Sequence, residues 1–347
     1  VYVLPLDDGR VAVMKKLLAF LLVYPAAALL SLRVGAVIAG DSTIVTFFSS
    51  AHPFLVVLTL AAGFSLTSYL LGTITDDYSW VDRLWSTAPV AFSWVYAVRS
   101  GLATAPTLAA ILITLWGLRL TYSFARRGGY TTLEDYRWPI LRERIGNPVL
   151  WQLFNLVFIS GYQVLLFVLF TLPVYHLSLL PGSVPDIAVI ITTGLFLFFL
   201  GYETIADQQQ WTFQNIKYGD GRRAEPPAWM GPDPESREAA LEEDLNSGFL
   251  THGLFHLSRH PNYFGELGAW WTLYLFGVLA TGMIIHWSGI GVVLLTLLFV
   301  GSTAFTESIS ASRYPEYEEY QRRTSAIIPW IPGAAQTQGD VRQEQVD

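Results

Sequence analysis

An all-α fold, a polytopic membrane bundle of about seven or eight transmembrane helices with both termini cytoplasmic, is what this 347-residue chain predicts. Three observations carry that expectation. Hydrophobic residues make up 52% of the chain and charged residues 14%, whereas soluble domains carry roughly 25% charged residues. Apolar runs close to the ~20 residues needed to cross a ~30 Å hydrocarbon core recur along the chain. Lysine and arginine, finally, collect in alternate connections, the bias that sets membrane orientation.

The runs lie at Leu17–Ala39, Ala51–Thr75, Leu84–Val98, Pro106–Phe124, Leu150–Tyr175, Ile187–Ala206, Glu266–Ile285 and Trp287–Phe305, the third being the shortest. With eight spans, 18 of the 21 basic residues fall on the side of the N-terminus, all but Arg33, Arg99 and Arg119. An odd number of spans would scatter them. Met14-Lys15-Lys16 reads as a natural start, making residues 1–13 an upstream extension. A cleaved signal peptide ending near Ala26-Ala27-Ala28 is the alternative, opposed by the spans that follow. The organisation expected is a two-span region over 1–75, a catalytic membrane domain over 76–330 and a disordered tail over 331–347. Within the middle region, Gly219 to Asn246 reads as a Pro/Gly loop leading into a short acidic helix, a solvated cytoplasmic insert.

Absences narrow the chemistry. The chain has no cysteine, so disulfides, a thiolate nucleophile and cysteine-bound zinc are out. A net charge of -7 offers no basic surplus for a phosphate backbone, which argues against nucleic acid as a partner. Membrane lipids and a lipophilic small molecule are the partners expected, and the oligomeric state is open. His252, His256 and His260 repeat every four residues, but Gly253 and Pro261 break a continuous helix, so no metal site is expected there.

Polar side chains at membrane depth cost several kcal/mol unless paired or wet, so their positions are informative. Four clusters face the cytoplasmic side. Tyr78 to Ser86 sets Asp82 beside Arg83 between tryptophans, which reads either as a functional acid or as a helix cap in an aromatic belt. Arg119, Tyr122 and Arg126 share one helical face at i, i+3 and i+7 and run on into Arg127-Gly128-Gly129. Such a strip suits an anionic group, although Arg126 and Arg127 serve equally as topological anchors. Glu203 and Asp207 repel each other at i and i+4 near a helix C-terminus, so a donor should face them, unless they are solvated. In the fourth, Ser258-Arg259-His260-Pro261-Asn262-Tyr263-Phe264-Gly265-Glu266, Pro261 suits the first helical turn. Asn262 and Glu266 then share a face, with Glu266 entering the apolar run.

This last block resembles the signature of the steroid 5-alpha-reductase and sterol-reductase superfamily, most nearly its branch of membrane proteins grouped as a domain of unknown function. The resemblance runs from about Asp76 to Trp330 and takes in Trp80-Val81-Asp82, Arg119 with Gly128-Gly129, Glu134 to Arg137, the Glu203/Asp207 pair and the tail from Arg313 to Tyr320. It implies a membrane oxidoreductase open to the cytoplasm that uses NADPH to reduce a carbonyl-conjugated C=C bond of a lipophilic, steroid- or isoprenoid-like substrate. On the matching positions it implies cofactor-binding roles for Asn262, Glu266, Asp207, Glu203, Arg119, Arg126, Arg127, Arg259, His260, Tyr263 and Arg313. Glu266 would lie toward the nicotinamide amide, and Arg126, Arg127 and Arg259 would hold phosphates. Hydride arriving at the β carbon builds charge on the carbonyl oxygen, which needs a hydrogen-bond or proton donor. Asp82 stands for the acid of the family's acid–tyrosine pair. The nearest position for the tyrosine is Trp116, a departure, and Tyr122 is taken as its substitute. The 219–246 insert is a second departure.

Two other readings stay open. Isoprenylcysteine carboxyl methyltransferases share the Arg-His-Pro-x-Tyr-x-Gly block but use S-adenosylmethionine and commonly carry an aromatic after the glycine, where this chain has Glu266. A transporter or lipid-binding scaffold would be expected to show paired discontinuous helices, and no inverted repeat is visible. The compartment expected is the plasma membrane for a bacterial source and the endoplasmic reticulum for a eukaryotic one, the active site facing the cytoplasm.

Overall fold

A computed structural model describes residues 8–131, 134–180, 184–219 and 225–331, with side chains from Lys15 onward. The tail beyond Ile331 and residues 1–7 lie outside the described residues. Helices follow one another as α1 (Asp8–Ala39), α2 (Ile44–Ser50), α3 (Pro53–Thr75), α4 (Ala88–Arg99), α5 (Thr104–Arg126), α6 (Arg137–Ile145), α7 (Pro148–Phe154), α8 (Gln163–Phe170), α9 (Leu172–Ser178), α10 (Asp186–Tyr218), α11 (Pro234–Ser247), α12 (Pro261–Thr281), α13 (Ile290–Arg313) and α14 (Tyr317–Arg323). Among the described residues there is no strand, and the chain is an all-α multi-pass membrane protein.

Six helical stretches are long and apolar enough to cross a bilayer: Lys15–Ala39, Pro53–Thr75, Thr104–Arg126, Pro148–Ser178, Asp186–Tyr218 and Trp287–Arg313. They coincide with six of the eight expected spans. The other two are helices, but differ for separate reasons. Helix α4 has 12 residues, about 18 Å at 1.5 Å per residue, short of a bilayer core. Its Phe92, Ser93, Tyr96 and Ala97 are wholly buried, so its apolarity serves the interior of the bundle. Helix α12 has 21 residues, but Asn262, Glu266 and its tryptophans and glycines dilute the apolar run. On the true spans the outward side chains are apolar, as a lipid solvent requires: Leu22 and Leu30 of α1 are each 66% exposed.

The chain divides into two compact units, Tyr2–Phe196 with Trp270–Leu295 and Leu197–Ala269 with Thr296–Asp347. In the first, α1 packs on α3, α4 on α5, and α9 on both α4 and α5. Its centre is aromatic, with the Trp116 and Trp270 rings edge-to-face at 4.9 Å and Phe170 at 4.3 Å from Trp270. Offset and edge-on contacts of this kind add to area burial. Two of the three arginines that break the charge bias have a structural account here. Arg33 donates to Ser42 O at 2.9 Å, and Arg99 donates to Ser49 O and to Ala51 O. Each satisfies carbonyls that helix or turn geometry leaves open.

The second unit holds a small core of Phe213, Ile216, Met230, Ala240, Leu241, Leu250 and Phe255. This corrects the expectation that the 219–246 insert is merely solvated. Helix α11 is capped by Asp233, whose side chain accepts from Ser236 N, and it buries Ala240, Leu241 and Asp244. Asp244, fully buried, accepts from Thr251 N at 3.0 Å and Thr251 Oγ1 at 2.7 Å, so the helix is tied to the segment leading into the Arg-His-Pro block.

Candidate cofactor site

In the second unit the Pro261 to Glu266 turn is placed by two contacts with α10. Asn262 Nδ2 donates to Asp207 Oδ1 at 3.3 Å. A Cβ on Gly265 would lie 2.6 Å from Glu203 Cβ and 2.9 Å from its backbone nitrogen, so only glycine lets the two helices approach here. Those two contacts, 262 to 207 and 265 to 203, run in opposite chain directions. The helices are therefore antiparallel, and Glu203 lies opposite the Gly265–Glu266 step. Three carboxylates are consequently buried along one short length of this pair, with Glu203 4%, Glu266 5% and Asp207 7% exposed. Asp207 is the easiest to account for, since it faces the first turn of α12, where the helix dipole and an amide both favour an anion.

The Arg-His-Pro block itself does something the sequence did not show. Arg259 makes a bidentate pair with Glu307 of α13, Nε to Oε1 at 2.7 Å and Nη2 to Oε2 at 2.9 Å. Its Nη1 donates to the carbonyls of Gln321 and Thr324. His260 Nε2 lies 3.0 Å from Glu307 Oε1, and its ring stacks on Tyr263. Of the positions expected to hold a cofactor in this unit, Asn262, Asp207, Glu203 and Glu266 thus form one cluster. Arg259, His260 and Tyr263 belong to a neighbouring network built on Glu307, and Arg313 is exposed at the end of α13. Glu307 escaped notice because it follows an apolar run by two residues. The available signal was a lone acid near a helix C-terminus, where a cation is preferred.

In the first unit, the segment after α3 is organised around Arg83, which is fully buried. Its Nη2 donates to Asp77 Oδ2 at 2.9 Å and its Nε to Gly129 O at 3.1 Å, and the guanidinium lies 4.5 Å over the Trp80 ring. Burial pushes the Asp77 carboxyl up, but Arg83 and Lys16, the latter at 2.7 Å, outweigh it and hold Asp77 below the usual carboxylate range. Asp82 behaves oppositely. Burial and the nearby Asp135 carboxylate push it up to about 6, against Arg137 and the Trp138 Nε1 donor at 2.9 Å. Beside this cluster Asp76, Tyr78, Glu134, Trp138, Pro139, Arg142 and Glu143 line an open pocket of about 310 Å³.

Tyr122 is not brought to Asp82. Its ring is 65% exposed, with Arg126 5.4 Å above it, while the adjacent Thr121 donates inward to Ser86 Oγ at 2.7 Å. No hydrogen bond joins Asp82 and Tyr122 among the described residues. Trp116 is wholly buried against Trp270. Arg119 is half-buried on α5, and Arg127 is exposed, its Nε donating to Ser123 O at 3.2 Å.

Residues 68–324 match the family described as "Protein of unknown function (DUF1295)". The chain belongs to this family. The match contains α4 to α14 and both clusters just described, and leaves α1 and α2 outside it. The chain is also similar to an uncharacterized protein of Schizosaccharomyces pombe, C594.04c, at 33% identity over 310 residues covering 85% of each chain. No solved structure matches it.

Proposed function

We propose that this DUF1295 protein is a membrane oxidoreductase that binds NADPH and reduces a carbonyl-conjugated C=C bond of a lipophilic substrate. The observation that carries the reading is the Asn262–Asp207 hydrogen bond one turn from buried Glu266 and opposite Glu203. Ionised carboxylates accept hydrogen bonds from N–H groups. A nicotinamide carboxamide offers two N–H donors and one acceptor, which suits carboxylates flanked by an amide. The carboxylate acceptors together with the Asn262 amide therefore fit the group. The resemblance of Ser258 to Glu266 to the steroid 5-alpha-reductase signature supports the same assignment. When bound, NADPH would supply the hydride. The chain's own part at this cluster is to orient the carboxamide and to keep it out of water, which strengthens each polar contact. Completing the reduction takes a proton at the α carbon in addition to the hydride.

A carboxylate pair would also accept the ammonium of S-adenosylmethionine, so the test separates the two. Equilibrium binding of NADPH and of S-adenosylmethionine is measured on the purified full chain in detergent, with Glu266→Gln beside it. NADPH binding that weakens at least tenfold in Glu266→Gln, with unchanged thermal unfolding, is the expected result. Binding of S-adenosylmethionine alone would transfer the chain to methyl transfer, and binding of neither would leave a non-enzymatic role.

A further inference from the structure

We infer that Glu307 and the segment Gln321 to Trp330 form a clamp that positions the Asn262–Glu266 turn. Glu307 is thus a positioning residue for the proposed nicotinamide grip, an inference that rests on the function proposed above only for the identity of the ligand. Glu307 is 6% exposed and accepts from Arg259 Nε and Nη2, from His260 Nε2, and from Gln321 Nε2 at 2.8 Å. Both carboxylate oxygens are used twice, close to the full capacity of the group. The segment beyond α14 then lies against the Arg-His-Pro block. Arg259 N donates to Ser325 O at 2.8 Å, His260 N to Ala326 O at 3.0 Å, and Trp330 N to Leu257 O at 2.9 Å. Ser258 Oγ, wholly buried, donates to Ile327 O at 2.8 Å.

The geometry explains why a clamp is needed at this place. Pro261 begins α12 and supplies no N–H, and the four residues before it are outside regular helix, so the direction in which α12 starts depends on what those four residues contact. Asn262 is one residue beyond Pro261 and Glu266 one turn further, so a swing of the 257–260 segment moves both. A bidentate Arg259–Glu307 pair fixes that segment in direction as well as distance, which a single hydrogen bond does not. The arginine that the sequence pattern offers to a phosphate is in this structure the inner half of the clamp.

The experiment uses full-length protein in detergent, with Glu307→Gln and the milder Gln321→Ala, which removes one of the donors to Glu307. Two quantities are read. One is backbone-amide hydrogen exchange over residues 257–266 without ligand. The other is the affinity for NADPH and for adenosine 2′,5′-bisphosphate, which lacks the nicotinamide. Glu307→Gln is expected to speed exchange at Arg259, His260 and the first turn of α12 by at least tenfold. It should weaken NADPH at least tenfold while changing adenosine 2′,5′-bisphosphate less than twofold. Gln321→Ala should shift both readouts in the same direction by two- to fivefold, and it decides the matter should Glu307→Gln fail to fold. Unchanged exchange over 257–266 overturns the clamp. Faster exchange with equal losses for both ligands overturns the positioning role, because general destabilisation would do that. If wild-type protein binds no NADPH, the functional reading fails separately, and the exchange measurement still decides whether Glu307 holds the turn.

Discussion

Arg83 and Asp82 are neighbours in sequence with opposite electrostatic fates, and both follow from what faces them. Arg83 has no exposed surface, and its charge is tolerated because Asp77, the Gly129 carbonyl and the Trp80 face surround it. Removing one partner of a buried pair leaves the other uncompensated, at about 3–5 kcal/mol. Arg83→Met is therefore expected to lower stability by about 3 kcal/mol, the lower end of that range, because Lys16 stays beside Asp77. Chemical denaturation in detergent checks this. Asp82, at about 6 in the folded protein, against about 3.9 in an unfolded chain, binds its proton more tightly when folded. Its contribution to stability is thus complete below pH ~4 and is lost as pH rises through ~6. The loss is about 2–3 kcal/mol. Between pH 4.5 and 7.5 the wild-type melting temperature should fall relative to that of Asp82→Asn, and a constant difference between the two would refute the raised carboxyl. Asp82 was visible in the sequence as an acid at an interface. Its elevated proton affinity was not, because its burial, the larger cause, and the approach of Asp135 from 53 positions away arise only when the chain packs.

Among the elements, helix approach is set by glycines whose importance differs from site to site. A Cβ on Gly291, at the start of α13, would lie 1.9 Å from Leu169 O and 2.4 Å from Phe170 N. Both are backbone atoms, so neither can move aside, and Gly291→Ala should destabilise the first unit by about 3 kcal/mol or more. Gly201 of α10 has nothing within 4 Å of its Cβ position. Gly201→Ala should instead stabilise by about 0.5–1 kcal/mol, since alanine restricts the unfolded chain. Thermal melts of the two variants side by side test the contrast, and similar shifts would sink it. Helix α11 teaches a related lesson. Its acidic residues made it look solvated, yet Ala240, Leu241 and Asp244 lie on one buried face, at a spacing too sparse to register as an apolar stripe.

For the whole molecule, the open quantity is orientation. The basic bias predicts that residues on the side of Arg237 face the cytoplasm and those around Asp41 the outside. Because the chain has no cysteine, single Asp41→Cys and Arg237→Cys variants give unambiguous labels. In intact cells or sealed right-side-out vesicles, a membrane-impermeant maleimide should react with Asp41→Cys and reach Arg237→Cys only after permeabilisation. The reverse pattern would invert the topology and put the Asn262–Glu266 cluster out of reach of cytoplasmic NADPH.

Fold class and most span boundaries were determined by the sequence alone. Transfer into lipid depends on the apolarity of each ~20-residue stretch taken by itself, so it can be summed along the chain. The sequence also singled out Glu203, Asp207, Asn262 and Glu266, because polar groups in apolar helices are conspicuous one at a time. Which groups satisfy one another was decided only by the tertiary structure. Asn262 meets Asp207 across 55 positions and Arg259 meets Glu307 across 48. Charge pairing has no period along the chain, so an arginine poised for a phosphate and an arginine clamped to a buried glutamate read identically until the helices are packed.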